Sequence, residues 1–340
     1  MNLHDQRYSK FALVREMLET PRIVGEFDFQ AAADTARTIG EVGRLFLTGE
    51  GSSRIFPAKN AICEAMRLGA PVCISTDGAR QAHEYDLSRF AVFGASNSGK
   101  TKELISLFTQ LEQQGHAHRF GLSAHSPSML ETVTTQCYTL RCGNEDAVAA
   151  TKSVVEQALF YRSLLEPWEK HSPMAANRQE AAEKAKEVLE TELDSVLVEK
   201  MARAPVIYFA GRNNGVAEEL TLKTNEITHK KSDYLEGTYA VHGIEEIMRP
   251  GEVVIVIDPF PAEIKKFETT LVDGVGMSVI AVSDRETSLP TIRIPRVEGY
   301  QTVLELLAGW NILVQVGVAL GINLDKAERA RKIGNEFLGG

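Results

Sequence analysis

The chain has little that would tie it to metals, membranes or nucleic acid. Its 340 residues include only four cysteines, Cys63, Cys73, Cys137 and Cys142, and no Cys-x-x-Cys pair. Cys63 and Cys73 stand in apolar sequence and read as small buried hydrophobes in a reducing compartment, not as a disulfide or metal site. The eight histidines show no ligand spacing such as His-Glu-x-x-His, so no metal and no cofactor is implied. There is no run of 18 apolar residues, and the segment from Met1 to Tyr8 has no apolar core. Neither a membrane span nor a signal peptide is therefore expected. Basic residues are outnumbered 37 to 46, and a net charge of −9 disfavours nucleic acid or an anionic membrane as the main partner. With 44% hydrophobic and 24% charged residues, what remains reads as a soluble globular chain, long enough for two domains.

The most informative stretch is residues 89–108. Phe90 to Phe93 suit a buried strand, and Leu104, Leu107, Phe108 and Leu111 fall at helical spacing. Between them lies a loop of small polar residues, Ser96, Asn97, Ser98 and Thr101, with Gly99 inside it. A strand entering a helix through such a loop presents N–H groups, hydroxyls and the positive helix end to an anion, which makes it a phosphate cradle. Two patterns fit. Gly94-Ala-Ser-Asn-Ser-Gly99-Lys100-Thr101 satisfies a P-loop, with Val253 to Asp258 as the strand and acid that would help hold magnesium. Ser96-x-Ser98-Gly99-x-Thr101-x-Glu103 resembles the phosphosugar loop of the sugar isomerase (SIS) domain. This stretch alone leaves both open.

Along the chain, residues 9–42 read as two helices. Strands are expected at Arg44–Gly49, Pro71–Ser75, 90–95, Arg119–Ser123 and Cys137–Arg141, with helices between them. That alternation indicates a parallel sheet covered on both faces. Residues 147–167 read as one long helix, and Ala175–Lys200 as a surface helix joining two domains. The pattern then restarts with strands at Val206–Arg212, Val253–Asp258, Ser278–Val282 and Thr291–Ile294, and helices at 216–229, 261–273 and 302–319. An internal duplication is expected, with domains at 1–200 and 201–340.

Five separated pieces complete a constellation: Gly51-Ser52-Ser53, the loop Ser96–Glu103, the segment Gly143–Lys152, Lys223-x-x-Glu226 with His242-Gly243, and a tail carrying Asp325 and Lys332. This ordered set resembles the double-SIS family, which includes the isomerase domain of glucosamine-6-phosphate synthase, SIS-type glucosamine-6-phosphate deaminases and fructosamine-6-phosphate deglycases. The resemblance implies an α/β fold of two tandem SIS domains, each a flavodoxin-like parallel sheet between helical layers. It also implies a sugar-phosphate ligand held by Gly51, Ser52, Ser53, Ser96, Asn97, Ser98 and Thr101, with Val148 meeting the sugar through its backbone beside Ala150. Glu226 would move a proton between C1 and C2 of the open-chain sugar. His242 would open the ring, reaching in from a second subunit of a homodimer, and Lys332 would correspond to a tail lysine able to form a Schiff base.

The chemistry is coherent without the family. Aldose–ketose interconversion needs one base that takes a proton beside a carbonyl and returns it to the adjacent carbon. Ring opening suits a histidine, which titrates near neutrality, and a lysine amine can convert a carbonyl into an iminium. Glu236, Glu245 and Glu246 are rival carboxylates near His242. Several positions depart from the synthase pattern: Asn97 stands for glutamine, Ala150 for serine, Tyr239 for glutamate, and Ala327-Glu328 for a proline–arginine pair. The expectation is a cytoplasmic phosphosugar isomerase, with deamination or deglycation at the same site as alternatives. A non-catalytic sugar-phosphate sensor and a P-loop nucleotide-binding protein are the readings from other classes.

Overall fold

The computed structural model describes residues 1–169 and 172–329. Two five-stranded sheets, parallel throughout, organise it. The first holds β1 (Arg44–Gly49), β2 (Cys73–Gly78), β3 (Ala91–Ser96), β4 (Arg119–Ser123) and β5 (Gln136–Thr139) in the order β2-β1-β3-β4-β5. The second holds β6 (Val206–Gly211), β7 (Lys231–Glu236), β8 (Val253–Ile257), β9 (Ser278–Ser283) and β10 (Thr291–Arg293). Its order, read from the β7 edge, is β7-β6-β8-β9-β10, which is the same winding. Every residue of the central strands β3 and β8 is buried, as expected of strands covered on both faces.

The duplication that sequence could not align becomes exact in register. Gly49 pairs with Ala95, and a Cβ on Gly49 would lie 2.7 Å from the Ala95 carbonyl oxygen. Gly211 pairs with Ile257, and its Cβ would lie 2.5 Å from the Ile257 carbonyl oxygen. After the fourth strand of each sheet, His125 N–H donates to Ser123 Oγ (3.1 Å) and Arg285 N–H donates to Ser283 Oγ (3.2 Å). Leu140 and Ile294 likewise donate to the carbonyls of Ser123 and Ser283. The residues that follow the matched positions are equivalent too: Glu50 with Arg212, and Ser96 with Asp258.

The chain divides into two compact units. The first sheet lies with Ile23–Glu145 and Ala150–Ala176, the second with Met1–Arg22, Asp146–Ala149 and Asn177–Glu328. Residues 1–22 and 177–200 thus pack with the second sheet, unlike the sequence-based boundary at 200. In the first unit the ring of Phe93 lies 5.7 Å from Phe120 and 5.5 Å from both Phe160 and Tyr161, against the wholly buried helix Lys152–Ser163. In the second, Tyr208, Leu235, Val254, Phe267 and Val279 share a core. The helix Gln301–Ala319 is long and apolar enough to cross a membrane, but 89% of its apolar window is buried within the protein. Its Asn311 donates to the carbonyls of Val188 (3.0 Å) and Thr191 (2.7 Å), so it serves as a core helix.

Local expectations needed four corrections. The helix expected at 147–167 begins only at Lys152, because Glu145 takes the N–H groups of Thr151 and Ser153 and holds the preceding residues in an irregular path. The single helix expected at 175–200 is two, Pro173–Glu190 and Ser195–Arg203. Its break is satisfied by Asn311 and Gln315 on the Thr191 carbonyl and by Asp194 accepting from Val196 N–H. The edge strand β7 was not expected from Lys-Ser-Asp-Tyr-Leu-Glu, of which only Leu235 is fully buried. Cys73 is exposed and Cys63 half-buried; Cys142 is the buried one, and burial pushes the Cys137 thiol up to about 12 and Cys142 higher still.

Candidate functional site

The site is clearest at the carboxyl edge of the first sheet, where strand order reverses between β1 and β3, the usual place for a ligand in open α/β sheets. β1 ends in the tight turn Gly51–Ser53, which leads into the helix Ile55–Leu68. Gly51 supplies the left-handed backbone (φ 55°), Ser52 is buried, and Ser53 Oγ accepts from Gln157 Nε2 at 3.4 Å. β3 ends at Ser96 and enters the helix Lys102–Gln113 through Asn97–Thr101.

Each residue of that loop is fixed by a separate contact. Ser96 Oγ lies 2.8 Å from Thr101 Oγ1 and accepts from Gly99 N–H (3.0 Å). Thr101 therefore turns its hydroxyl across the loop and gives the helix no side-chain cap. The first-turn N–H groups of a helix have no partner within it, and they are what an anion would meet here. Gly99 has φ 65°, and a Cβ there would lie 2.5 Å from Ser128 Cβ and 2.7 Å from Ser123 Oγ, so only glycine fits. Ser98 Oγ accepts from Lys100 N–H (3.2 Å), and Lys100 itself is exposed.

Beneath the loop lies Glu145, which sequence reasoning did not place in the site. It is buried and accepts from Asn97 Nδ2 (2.7 Å), Thr151 N–H (2.7 Å) and Ser153 Oγ (2.5 Å). It joins the cradle to the segment carrying Ala150, which is half-buried. A glutamate in the run Gly143–Lys152 gave no period or spacing to mark it; only the fold brings Asn97 to it. Glu156, from the next turn, accepts the N–H groups of Arg141 and Cys142, both at 2.7 Å, and burial raises its pKa. Val148 belongs to the other unit, where its N–H donates to the Asp325 carbonyl (3.2 Å). The Asp325 carboxylate in turn holds Ala12 and Leu13 N–H at the start of the helix Ala12–Glu26.

The nucleotide reading of Gly94–Thr101 does not survive. Strand β3 runs through Gly94, where a Cβ would lie 2.7 Å from Leu104 and Phe108, so that glycine admits the helix and shapes no loop. Asp258, the expected magnesium acid, is engaged by Arg212 and Arg285.

In the second unit, Glu226 sits on the helix Val216–Thr228 with its side chain 27% exposed. Lys223, one turn earlier and fully buried, donates to Glu226 Oε2 at 2.7 Å and lies 3.4 Å from the buried Glu219. The candidate base is thus oriented by a buried ammonium. His242 is exposed at the end of the short turn Tyr239–Val241, followed by Gly243 (φ 106°), with Lys266 Nζ 3.3 Å from its Nε2. Of the rival carboxylates, Glu245 accepts from Gly243 N–H (2.6 Å), while Glu236 and Glu246 are exposed. Lys332 lies outside the described residues. Among the described residues no group of histidine, cysteine and acidic side chains is arranged to hold a metal ion. An open cavity of about 790 Å³, bordered by His83, Tyr85, Asp86, Gln110 and His118, lies at the opposite end of the first sheet and contains none of the expected site residues.

The sequence matches no protein-family model and no curated protein sequence. Solved structures do match. The C-terminal domain of glucosamine-fructose-6-phosphate aminotransferase from Francisella tularensis superposes with a TM-score of 0.76 at 16% identity, over 95% of this chain and 100% of that one. Tagatose-6-phosphate ketose/aldose isomerase from Escherichia coli gives 0.77 at 16% identity, over 95% and 97%. Glucosamine-6-phosphate deaminase from Thermotoga maritima gives 0.74 at 18% identity, over 94% and 98%. The fold of nearly the whole chain, two parallel five-stranded sheets flanked by helices, is therefore shared with these solved structures, as the resemblance read from separated motifs implied.

Proposed function

We propose that the protein is an enzyme that interconverts the aldose and ketose forms of a 6-phosphorylated sugar or amino sugar. The observation that carries this reading is the loop Ser96–Thr101. Its hydroxyls and glycine are locked in place at the switch point of the first sheet, ahead of a helix start with no side-chain cap. Ser53, Ser98 and Thr101, with the first-turn amides, hold the phosphate, and Gly51, Ser52, Ser96 and Asn97 shape the cradle. Val148, through its carbonyl, and Ala150 border the sugar.

Glu226 is the base. It removes the proton from C2 of the open-chain aldose; the C–H electrons form the C1=C2 bond as the C1 carbonyl pair moves to O1, which takes up a proton. The enediol then collapses to C2=O with release of the O2 proton and return of the held proton to C1, so that one proton passes between the carbons and one from O2 to O1. Lys223 positions the carboxylate for both transfers. His242 opens the ring. Its exposure in the single chain fits a histidine that serves the site of a second subunit, so the active species is a homodimer. Lys332 supplies the amine for substrates that pass through an iminium. No metal or cofactor takes part, and the enzyme works in the cytoplasm.

The test is a panel of fructose 6-phosphate, glucosamine 6-phosphate, a fructosamine 6-phosphate and Mg-ATP, read first as thermal stabilisation and then as turnover. A ligand at a hundred times its Kd adds about 2.7 kcal/mol of stability. Stabilisation by a sugar phosphate, turnover without ammonia release, and loss of that turnover in Glu226→Gln with binding retained are expected. Ammonia release would move the assignment to deamination, and full turnover in Glu226→Gln would remove Glu226 as the base.

A further inference from the structure

The duplication gives the second sheet a switch point of its own, between β6 and β8, lined by different residues. Where the first sheet has Glu50, Ser96 and His125, the second has Arg212, Asp258 and Arg285. Both guanidinium groups converge on one carboxylate: Arg212 Nε on Asp258 Oδ2, and Arg285 Nη2 on Asp258 Oδ1 at 2.9 Å. Arg285 also donates to the Pro259 carbonyl (2.8 Å), and the Arg212 guanidinium carbon lies over the Phe260 ring, 4.1 Å from its centroid. The group remains open to solvent, with the Arg212, Arg285 and Asp258 side chains 25%, 40% and 22% exposed.

We propose that this edge is a second anion-binding site, in which Arg212 and Arg285 take the phosphate or carboxylate of a small metabolite. Asp258 is the internal carboxylate that holds the two guanidinium groups when no ligand is bound. Three features support it. Asp258 occupies the position of Ser96, at the carboxyl end of the central strand, where ligands of open α/β sheets sit. It keeps a left-handed backbone, φ 42°, a conformation few non-glycine residues hold, and this directs its carboxylate to the arginine pair. Arg212 uses only Nε on Asp258, and among the described residues no other acceptor engages it, so its terminal nitrogens keep donors to spare for a ligand. Guanidinium forks match phosphate and carboxylate oxygens in geometry and charge. Asp284 pairs with Arg285 (3.4 Å) and Arg296 (3.4 Å), and Glu286 with Arg293 (2.9 Å), so the wider rim is nearly charge-balanced and the ligand is compact. Glu218 in the first turn of the adjacent helix offsets the positive end of its dipole, so the arginines carry the affinity, not the helix end.

This site is independent of the one proposed for catalysis, and the experiment separates them. Equilibrium dialysis of the intact protein with labelled inorganic phosphate should reveal two sites per chain. Arg212→Gln and Arg285→Gln should each weaken one of them at least about tenfold, the effect of one charge-assisted hydrogen bond. Asp258→Asn keeps the shape, removes the competing charge and should tighten the same site by about tenfold, which guards against an arginine variant that fails to fold. Phosphate that still binds in the Ser98→Ala/Thr101→Ala double variant but is lost in Arg212→Gln would place a site here even if the first cradle holds no sugar phosphate. Phosphate binding indifferent to Arg212→Gln and Asp258→Asn, or weakened by Asp258→Asn, would overturn the proposal.

Discussion

Glu145 offers the sharpest test of how the candidate cradle is built. Its carboxylate receives Asn97 Nδ2 at 2.7 Å, Thr151 N–H at 2.7 Å, Thr151 Oγ1 at 3.1 Å, Ser153 N–H at 3.4 Å and Ser153 Oγ at 2.5 Å, all in a buried setting. Glu145→Gln keeps the size but replaces one acceptor oxygen with an amide that itself donates. That amide must face either the Asn97 amide and the Ser153 hydroxyl or the Thr151 N–H, and in both cases donors meet donors. Hydrogen bonds to a charged group are each worth about 1.5–3 kcal/mol, so losing one and leaving a buried donor unpaired should cost roughly 2–4 kcal/mol. For a unit of this size the melting temperature should fall by about 3 °C per kcal/mol, or on the order of 6–12 °C. Urea unfolding of wild type, Glu145→Gln, Asn97→Ala and the double variant measures the effect directly. The cycle should give a coupling of about 1–2 kcal/mol between the two residues, and Glu145→Gln should weaken sugar-phosphate binding by displacing Asn97. Stability within about 0.5 kcal/mol of wild type, the range of an ordinary surface change, would refute the view that Glu145 anchors the loop.

Three further outcomes follow from local geometry. Gly99→Ala, at φ 65° with Ser128 Cβ 2.5 Å from the new methyl, should cost roughly 1–3 kcal/mol and lower sugar-phosphate affinity, both measurable by thermal shift with and without ligand. Lys223→Met removes the fully buried cation between Glu219 and Glu226 and should destabilise by about 3–5 kcal/mol in urea melts; a neutral result would mean that the three groups do not depend on one another. Burial raises the Glu156 pKa above its unfolded value of 4.5, so its contribution is fully present below pH 4.5 and is lost as pH rises through the folded value. The stability of wild type relative to Glu156→Gln should therefore fall as pH is raised from 4 toward neutrality, and a difference that stays flat or grows across urea melts in that range would contradict the assigned direction.

Much of the fold was legible because burial on two faces leaves a continuous apolar signature. Val253 to Ile257 and Ala91 to Ala95 could hardly be anything but central strands, and both sit mid-sheet with every residue buried. β7 was missed for the converse reason. As an edge strand with only Leu235 fully buried, it has neither an apolar run nor a clean alternation. The helix expected at 147–167 was too long because Ala147 and Ala149 are apolar for packing within their own unit, not for helical periodicity. Of the site, the loop Ser96–Thr101 could be read from residue types alone, since a glycine among hydroxyls between strand and helix has few other uses. Glu145 and Gln157 could not, because their partners Asn97 and Ser53 lie 48 and 104 residues away.

The sequence by itself determined the alternation of strands and helices, the repeat of that alternation, and the polar loop that marks the first switch point. These depend on near neighbours and on the period of burial, and both are written along the chain. Only the tertiary structure decided which residues are equivalent between the halves, because strand order and register are set by pairing between distant segments. It also decided that residues 1–22 and 177–200 pack with the second sheet, that Lys223 underlies Glu226, and that Arg212, Asp258 and Arg285 meet at one edge. Those three residues come from the ends of three different strands, and nothing short of the folded sheet puts two arginines on one aspartate.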